Sequence, residues 1–181
     1  MKLTLSELTS PMGAMLLAAD EHGRVRALGF AEQRARLHRS LREQYGACEL
    51  SAGSAPAPVA EALQRYFAGE LEALDSVAVA TAGTEQQESA WAALRWIPPG
   101  ETTTYGAVGR AMGINDWRVS VDAGAAVGAN PIAIIVPCHR VLGTHGDLKG
   151  YAWGLHRKRW LLEHEKVIAA RPAMPRTASL F

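Results

Sequence analysis

Asn130-Pro131-Ile132-Ala133-Ile134-Ile135-Val136-Pro137-Cys138-His139-Arg140-Val141-Leu142-Gly143 is the stretch on which the reading of this chain turns. A residue before proline avoids the helical region, so Asn130 closes whatever helix precedes it. Ile132 to Val136 is a continuous apolar run, the pattern of a buried strand. Pro137 fixes φ and removes a donor, which holds Cys138 in a defined place at the end of that run. A thiol is a good nucleophile only as thiolate, and a neighbouring imidazole or cation lowers its pKa; His139 and Arg140 both adjoin it. Sequence neighbours rarely face one another, so a bridging water is the route by which His139 would take the thiol proton. In isolation, these four residues fit a buried cysteine beside a surface histidine as well as they fit an activated nucleophile. Asn130 has two readings as well: a side chain bonded to turn backbone, or one that orients catalytic groups.

Downstream, residues 143–150 form a turn-rich loop leading to Tyr151-Ala152-Trp153-Gly154. Tyr151 and Trp153 offer faces for a flat aromatic pocket, or are ordinary packing residues. A last helix is expected from Leu155 to about Lys166. Glu165 falls at its C-terminal end, where a carboxylate opposes the helix dipole. That misfit points either to a carboxylate that orients His139 or to an exposed one near Lys166.

Upstream, Thr104 is placed to cap a helix from Tyr105 to Met112, and a short link leads to a second helix from about Arg118 to Ala129. The outline is a helix-turn-helix or an ordinary helical hairpin. Ala123-Gly124-Ala125-Ala126-Val127-Gly128-Ala129 carries almost no side-chain bulk. Tight packing on a neighbouring helix and close approach to a flat partner both need small residues. Before that, Thr84 with Gln87 predicts a capping box for a helix ending at Pro98-Pro99-Gly100. The first half reads as strands over Leu3–Phe30, with a hairpin turn at Asp20-Glu21-His22-Gly23. A helix over Ala31–Tyr45 follows, then a small-residue loop over Ser51–Pro58, a helix over Val59–Leu71 and a short strand over Leu74–Ala82. The boundary between halves is expected near Gly83-Thr84, giving units 1–83 and 84–168 and a flexible tail over 169–181.

The 181 residues are 48% hydrophobic and carry a formal net charge of +1, enough apolar content for a sizeable core and too little charge to argue for a nucleic-acid partner or against one. Two cysteines ninety residues apart, Cys48 and Cys138, exclude a disulfide framework or a cysteine-rich zinc site. No secretory h-region and no long apolar segment occur, so the expectation is a reduced, cytoplasmic protein without a membrane span.

Residues 130–143 resemble the active-site motif of the O6-alkylguanine-DNA alkyltransferases. The likeness continues through Gly150-Tyr151 and Gly154-Leu155-His156-Arg157-Lys158-Arg159-Trp160-Leu161-Leu162-Glu163-His164-Glu165. It also takes in 97–106, Ser10-Pro11-Met12-Gly13 and Tyr66-Phe67-Ala68-Gly69-Glu70-Leu71, spanning roughly residues 8–166. The resemblance implies an α/β ribonuclease-H-like N-terminal domain and a mainly α-helical C-terminal domain whose helix-turn-helix lies in the minor groove of double-stranded DNA. It implies irreversible, single-turnover transfer of an alkyl group from a flipped O6-alkylguanine, or O4-alkylthymine, to Cys138, in a monomer without metal or cofactor. His139 would act as base through water, Glu165 would orient it, Asn130 would stabilise the turn, and Tyr105 would assist flipping and protonate or position the leaving guanine. Tyr151, Val141, Trp153 and Ala152 would contact the base, Trp153 narrowing the pocket against O6-benzyl groups. Ala123, Gly124, Ala125 and Ala126 would meet the groove. The family's usual arginine at the start of that helix is replaced here by Val121, followed by Asp122, with Arg118 one turn earlier as a substitute. The departure predicts weaker DNA binding and leaves an alkylated-DNA sensor or regulator as an alternative; the Cys-His-Glu residues by themselves would also suit a turning-over hydrolase or acyl-transfer enzyme.

Overall fold

The computed structural model describes residues 1–169; the expected tail over 169–181 lies, apart from its first residue, outside them. Three strands, β1 (Lys2–Leu8), β2 (Met15–Ala19) and β3 (Val25–Phe30), form an antiparallel meander, and a fourth, β4 (Glu49–Ala52), joins the far edge parallel to β1. Asp20 builds the β2–β3 turn by accepting the backbone N–H groups of His22 and Arg24, and Gly23 takes the positive φ of +75° that closes it. Every residue of β2 and β3 is buried, because the sheet is covered on both faces. Leu16, Ala18 and Ala27 pack with Leu37 and Leu41 of helix α1 (Arg34–Tyr45). Met15, Leu17, Ala19, Leu28 and Phe30, one pleat out of phase, face the main core with helix α2 (Ala57–Phe67) and the C-terminal half.

Two expectations for this half need correction. Residues 49–52, at the edge of the stretch read as a loop, are β4: a parallel edge strand of mixed small residues has no apolar alternation to betray it. Residues 74–82 are not a strand. Leu71–Leu74 is a short 3-10 turn, and only Val79 bridges to Val25. The backbone beyond finds side-chain partners instead of a ladder. Arg95 donates to the Asp75 and Val77 carbonyls, the Tyr45 hydroxyl to that of Ala80, and Gln44 accepts from the Ala82 N–H.

The second half is mainly helical. Helix α3 (Glu85–Arg95) starts with the predicted capping box, Thr84 and Gln87 each bonding the other's backbone N–H. A two-residue strand β5 (Thr103–Thr104) leads into α4 (Tyr105–Ala111), capped by the Thr104 hydroxyl. After the link 112–118 comes α5 (Val119–Gly128), and β6 (Val141–Leu142) pairs parallel with β5. The last helix is α6 (Leu155–His164). Helices α4 and α5 cross closely because Gly109 has no Cβ; one built there would lie 2.4 Å from the Val119 carbonyl oxygen.

Residues 132–136 are buried, as the apolar run implies, but they are not a strand. One bridge, Leu28 to Ile132, ties them to the edge of β3, and the chain then turns, with Ile134 at φ +68°. Hydrophobicity reports burial; it does not distinguish a strand from a turn whose backbone groups are satisfied by other means. Here the means is Asn130.

Candidate active site

Asn130 is 1% exposed and spends its whole amide on the turn. Its Oδ1 accepts the Ile132 N–H at 3.0 Å, and its Nδ2 donates to the Val136 carbonyl at 2.8 Å, the Ile132 carbonyl at 3.2 Å and the Cys138 Sγ at 3.1 Å. The two readings of Asn130 thus merge: the side chain that folds the turn is also the donor to the sulfur. Cys138 opens a 3-10 turn through Arg140 and is 4% exposed. The exposed part is the floor of an open groove of about 550 Å³ whose walls include Tyr105, Val121, Gly124, Gly150 and Tyr151, a size in the range of small-molecule clefts.

The residues that follow Cys138, His139 and Arg140, enter a buried ionic cluster. The Glu165 carboxylate accepts from the Tyr66 hydroxyl at 2.7 Å, from His139 Nε2 at 2.9 Å, and from Arg140 through Nη2 at 2.8 Å and Nε at 2.9 Å. Burial alone would raise this carboxyl, but the hydrogen bonds from His139 and Arg140, with the charge of Arg140, hold it well below the usual carboxylate range. An ionised carboxylate only accepts, so Nε2 of His139 carries a proton and Nδ1 presents the lone pair. Nδ1 is buried and has no protein partner. Burial holds His139 below its ordinary value against the pull of Glu165, so the resting ring is a neutral base.

The thiol is pushed up by burial, opposed by the Asn130 amide, the Lys158 charge and, more weakly, the Arg36 charge. Lys158 is fully buried on α6, and its Nζ donates to the Val141 carbonyl at 2.6 Å. Burial brings its ammonium down to about 8, with Cys138 pulling the other way. Arg36 reaches from α1, donates to the Gly128 carbonyl at 2.6 Å and lies 4.8 Å over the Trp153 ring. Tyr105 donates to the Gly150 carbonyl at 3.3 Å, and burial keeps its hydroxyl protonated by raising its pKa. The Tyr151 hydroxyl is buried without a partner and is pushed well up by burial and then by Cys138.

Of the residues singled out from the sequence, Cys138, His139, Glu165 and Asn130 come together, and Tyr105, Tyr151 and Ala152 wall the groove. Five do not fit the expectation. Trp153 is 1% exposed and packs beneath β3, where a Cβ on Gly29 would meet its ring at 2.4 Å; it supports the loop from below and does not narrow the groove. The Val141 carbonyl faces Lys158. Ala123 and Ala126 are buried against α3, whose Trp91 donates to the Ala126 carbonyl. Of the four residues expected to meet the groove of the DNA, Gly124 and Ala125 are on the accessible side. Arg118 is exposed but paired with Asp122 at 3.2 Å. Sequence reasoning missed Tyr66 and Lys158 as parts of the site. Tyr66 reads as one more apolar residue on α2, and Lys158 is embedded in a basic run that reads as a solvated face; neither carries a local signal.

A buried thiol lining an open groove, with a neutral imidazole and an ionised carboxylate paired beside it in the chain, has the make-up of a cysteine-nucleophile protein, built on an α/β unit joined to a helical one. Residues 4–81 match the family model described as the ribonuclease-like domain of 6-O-methylguanine DNA methyltransferase, and residues 85–167 match that described as its DNA binding domain. A methylated-DNA–protein-cysteine methyltransferase of Salmonella typhimurium is 40% identical over 167 residues, covering 91% of this chain and 96% of the relative. One of Mycobacterium bovis is 51% identical over 104 residues, covering 58% of this chain and 61% of the relative. Among solved structures, Mycobacterium tuberculosis OGT in complex with DNA superposes with a TM-score of 0.74 at 37% identity, over 90% of this chain and 92% of that one. The chain belongs to the 6-O-methylguanine DNA methyltransferase family.

Proposed function

We propose that this protein repairs double-stranded DNA by moving the alkyl group of O6-alkylguanine onto Cys138, once per molecule. Family membership supports the activity and a DNA partner. The observation that carries the residue assignment is Sγ lining the groove with Asn130 donating to it, while His139, the next residue, is bonded to Glu165. The target base, flipped out of the duplex, enters the groove between Tyr105 and Tyr151. Sγ attacks the alkyl carbon; an S–C bond forms, the C–O6 bond breaks, and its electron pair leaves with the guanine oxygen. The thiol proton passes through a water to Nδ1 of His139, and Glu165 stabilises the imidazolium. The Tyr105 hydroxyl, kept protonated at neutral pH, positions or protonates the departing base, so that it leaves neutral. Helices α4 and α5 act as a helix-turn-helix, with Gly124 and Ala125 facing the groove of the DNA.

Intact-protein mass spectrometry after incubation with an O6-methylguanine duplex tests this reading. The expected result is one methyl group per molecule on Cys138, none on the Cys138→Ala variant, and no further product once the protein is consumed. Catalytic turnover without a stable adduct would instead mark a hydrolase.

Lys158 gives a second test. Its ammonium stabilises the developing thiolate, so Lys158→Met is expected to slow alkylation about tenfold and to raise the thiol pKa. Stability should move little. Burying an ammonium whose pKa falls from 10.5 to about 8 costs about 3 kcal/mol at neutral pH, which offsets the roughly 1–3 kcal/mol of leaving the Val141 carbonyl unpaired. The linkage sign is distinctive. Between about 8 and 10.5 the unfolded chain binds the proton more tightly than the folded one, so wild-type stability rises with pH across that window. Denaturant unfolding at several pH values should show the rise in the wild type and its loss in Lys158→Met.

A further inference from the structure

Tyr66 is the member of the buried cluster to which the proton relay so far gives no part. It lies on α2, in the first half of the chain, whereas Cys138, His139, Arg140 and Glu165 all come from the second. Its side chain is fully buried. The two ends of the residue are tied to consecutive residues at the end of α6. Its carbonyl accepts from His164 Nε2 at 2.7 Å, and its hydroxyl donates to Glu165 Oε1 at 2.7 Å. The ring packs edge-on against Phe67 and His164, so a phenylalanine would fill the same space. Packing therefore does not explain the hydroxyl, and among the described residues Glu165 is its hydrogen-bond partner. Burial, and then the carboxylate, push the phenol well up, so it is a donor at neutral pH.

Oε1 is crowded. It accepts from Tyr66, from His139 Nε2 at 2.9 Å and from Arg140 Nη2 at 2.8 Å, while Oε2 accepts from Arg140 Nε. A carboxylate oxygen has about two lone-pair sites, so the three donors share its charge. A hydrogen bond to a carboxylate stabilises that charge, and charge held by one donor is weaker attraction for the next. We infer that Tyr66 is a positioning residue of the relay: its hydroxyl takes up part of the charge of Glu165 Oε1, which loosens that oxygen's hold on His139 and lets the ring rest as an uncharged base. The inference rests on the reading of His139 as the base for Cys138. Glu165 has to stabilise the imidazolium once Nδ1 takes the thiol proton, yet must not hold a proton there beforehand, because a charged ring has no lone pair to offer. Arg140 is cationic throughout and cannot make this adjustment; a neutral donor weakens the carboxylate without adding a charge. The other groups around the ring leave that adjustment open. Lys158 of α6 and Arg140 both disfavour the imidazolium, Arg95 of α3 acts on Arg140, and Tyr151, in range of both Tyr66 and Cys138, is kept neutral by burial. Against them stands the Glu165 carboxylate, so the charge on Oε1 is the quantity a single hydroxyl can set. The same bond makes α2, and with it the first half of the chain, part of the chemistry.

Tyr66→Phe removes one oxygen and strands no donor, and Oε1 keeps the His139 and Arg140 bonds, so the variant should fold. Two profiles are read for it and for the wild type: a ring-nitrogen NMR titration of His139, and the pH dependence of single-turnover alkylation of an O6-methylguanine duplex. Without the hydroxyl, Glu165 holds the imidazolium more tightly. The midpoint of the ring titration and that of the acid limb of the rate profile are both expected to move up by about one pH unit, or about tenfold in the proton affinity of the ring. In the Glu165→Gln background the same substitution is expected to leave the ring titration where it was, because the hydroxyl acts through the carboxylate. A rate lowered equally at every pH, with both midpoints in place, would make Tyr66 a packing residue and overturn the inference. Midpoints that move to lower pH would overturn it too, as would a shift that persists in the Glu165→Gln background. Absence of any Cys138 adduct in the wild type would instead sink the alkyltransferase reading, and the ring titration would still decide what Tyr66 does to His139.

Discussion

Glu165→Gln is expected to slow alkylation by about 10²–10⁴-fold, the usual worth of a positioned general base, and to destabilise the fold by about 3–5 kcal/mol. Both effects come from one carboxylate that serves two partners. Toward His139, the charge on Glu165 is what makes an imidazolium tolerable in a site with no exposed surface; a neutral amide can hold Nε2 but cannot stabilise the charge that arrives when Nδ1 takes the thiol proton. Toward Arg140, Glu165 supplies both acceptor oxygens. Among the described residues the other hydrogen bond of that guanidinium goes to a backbone carbonyl, that of Ile97, so neutralising the acid leaves a buried cation without a counter-charge among them. A melting temperature lower by roughly 10 °C would match that loss. The two roles separate in the double variant Glu165→Gln, Arg140→Met. Removing the stranded cation should restore much of the stability, because a buried ion pair exchanged for uncharged groups is often neutral, while the rate should stay low. Rate and stability recovering together would mean that Glu165 acts through folding alone.

The pH dependence has a definite sign. Glu165 is held below its ordinary 4.5, so its contribution is complete above that value and is lost as pH falls below it, where the unfolded chain takes up the proton first. His139 is held below 6.5 by burial; the unfolded ring charges while the folded one stays neutral, so stability begins to fall below that pH. Unfolding of the wild type should steepen toward acid in these two windows, and in Glu165→Gln the lower window should flatten.

How much of this site could be read from the sequence depends on where each partner sits along the chain. Cys138 and His139 are contiguous, and Asn130 is eight residues away on the same turn, so a local pattern contains them. Glu165 was legible only through a local misfit, an acid at the negative end of a helix, which the structure explains by the cluster it completes. Tyr66 donates to Glu165 across ninety-nine positions, and no periodicity of α2 announces it, because a hydroxyl costs nothing in an apolar pattern. Lys158 is hidden by composition: in a run of basic residues, the one turned inward looks like the others. The fold divides in the same way. The meander and the capped helices follow from alternation, turn residues and Thr84 and Thr104, all local signals. The edge strand β4 and the turn 132–136 do not, because their backbone partners come from β1 and from the Asn130 side chain. Where a distant partner decides the conformation, the local sequence carries only the burial.

Asn130 is where fold and chemistry meet, so its substitution is expected to damage both, in separable amounts. Asn130→Ala removes the acceptor of the Ile132 N–H. The carbonyls of Ile132 and Val136 keep backbone donors in Val136 and Cys138, so one buried group is orphaned, at about 1–3 kcal/mol. The turn also holds Ile134 at φ +68°, a conformation that costs a β-branched residue about 1–3 kcal/mol and persists only while the surroundings impose it. A total loss of a few kcal/mol leaves room for a folded variant. Its chemistry should suffer separately: Sγ loses its donor, worth about 1.5–3 kcal/mol toward a charged acceptor, or roughly 10- to 100-fold in rate. Asn130→Asp is the sharper test. One oxygen can still accept from Ile132, so the turn is largely kept, but the other now faces two carbonyls and a sulfur, and all three are acceptors. A carboxylate beside a forming thiolate raises the thiol pKa as any like charge does, and the rate at neutral pH is expected to fall roughly a thousandfold, more than in Asn130→Ala despite the smaller change in shape. The pH dependence of Cys138 reaction with a small uncharged thiol reagent measures the thiol pKa directly and should rank the three proteins as wild type lowest, Ala next and Asp highest. If the Asp variant alkylates as fast as the Ala variant, the Asn130 amide acts only on the backbone, and the bond to sulfur contributes nothing to the reaction.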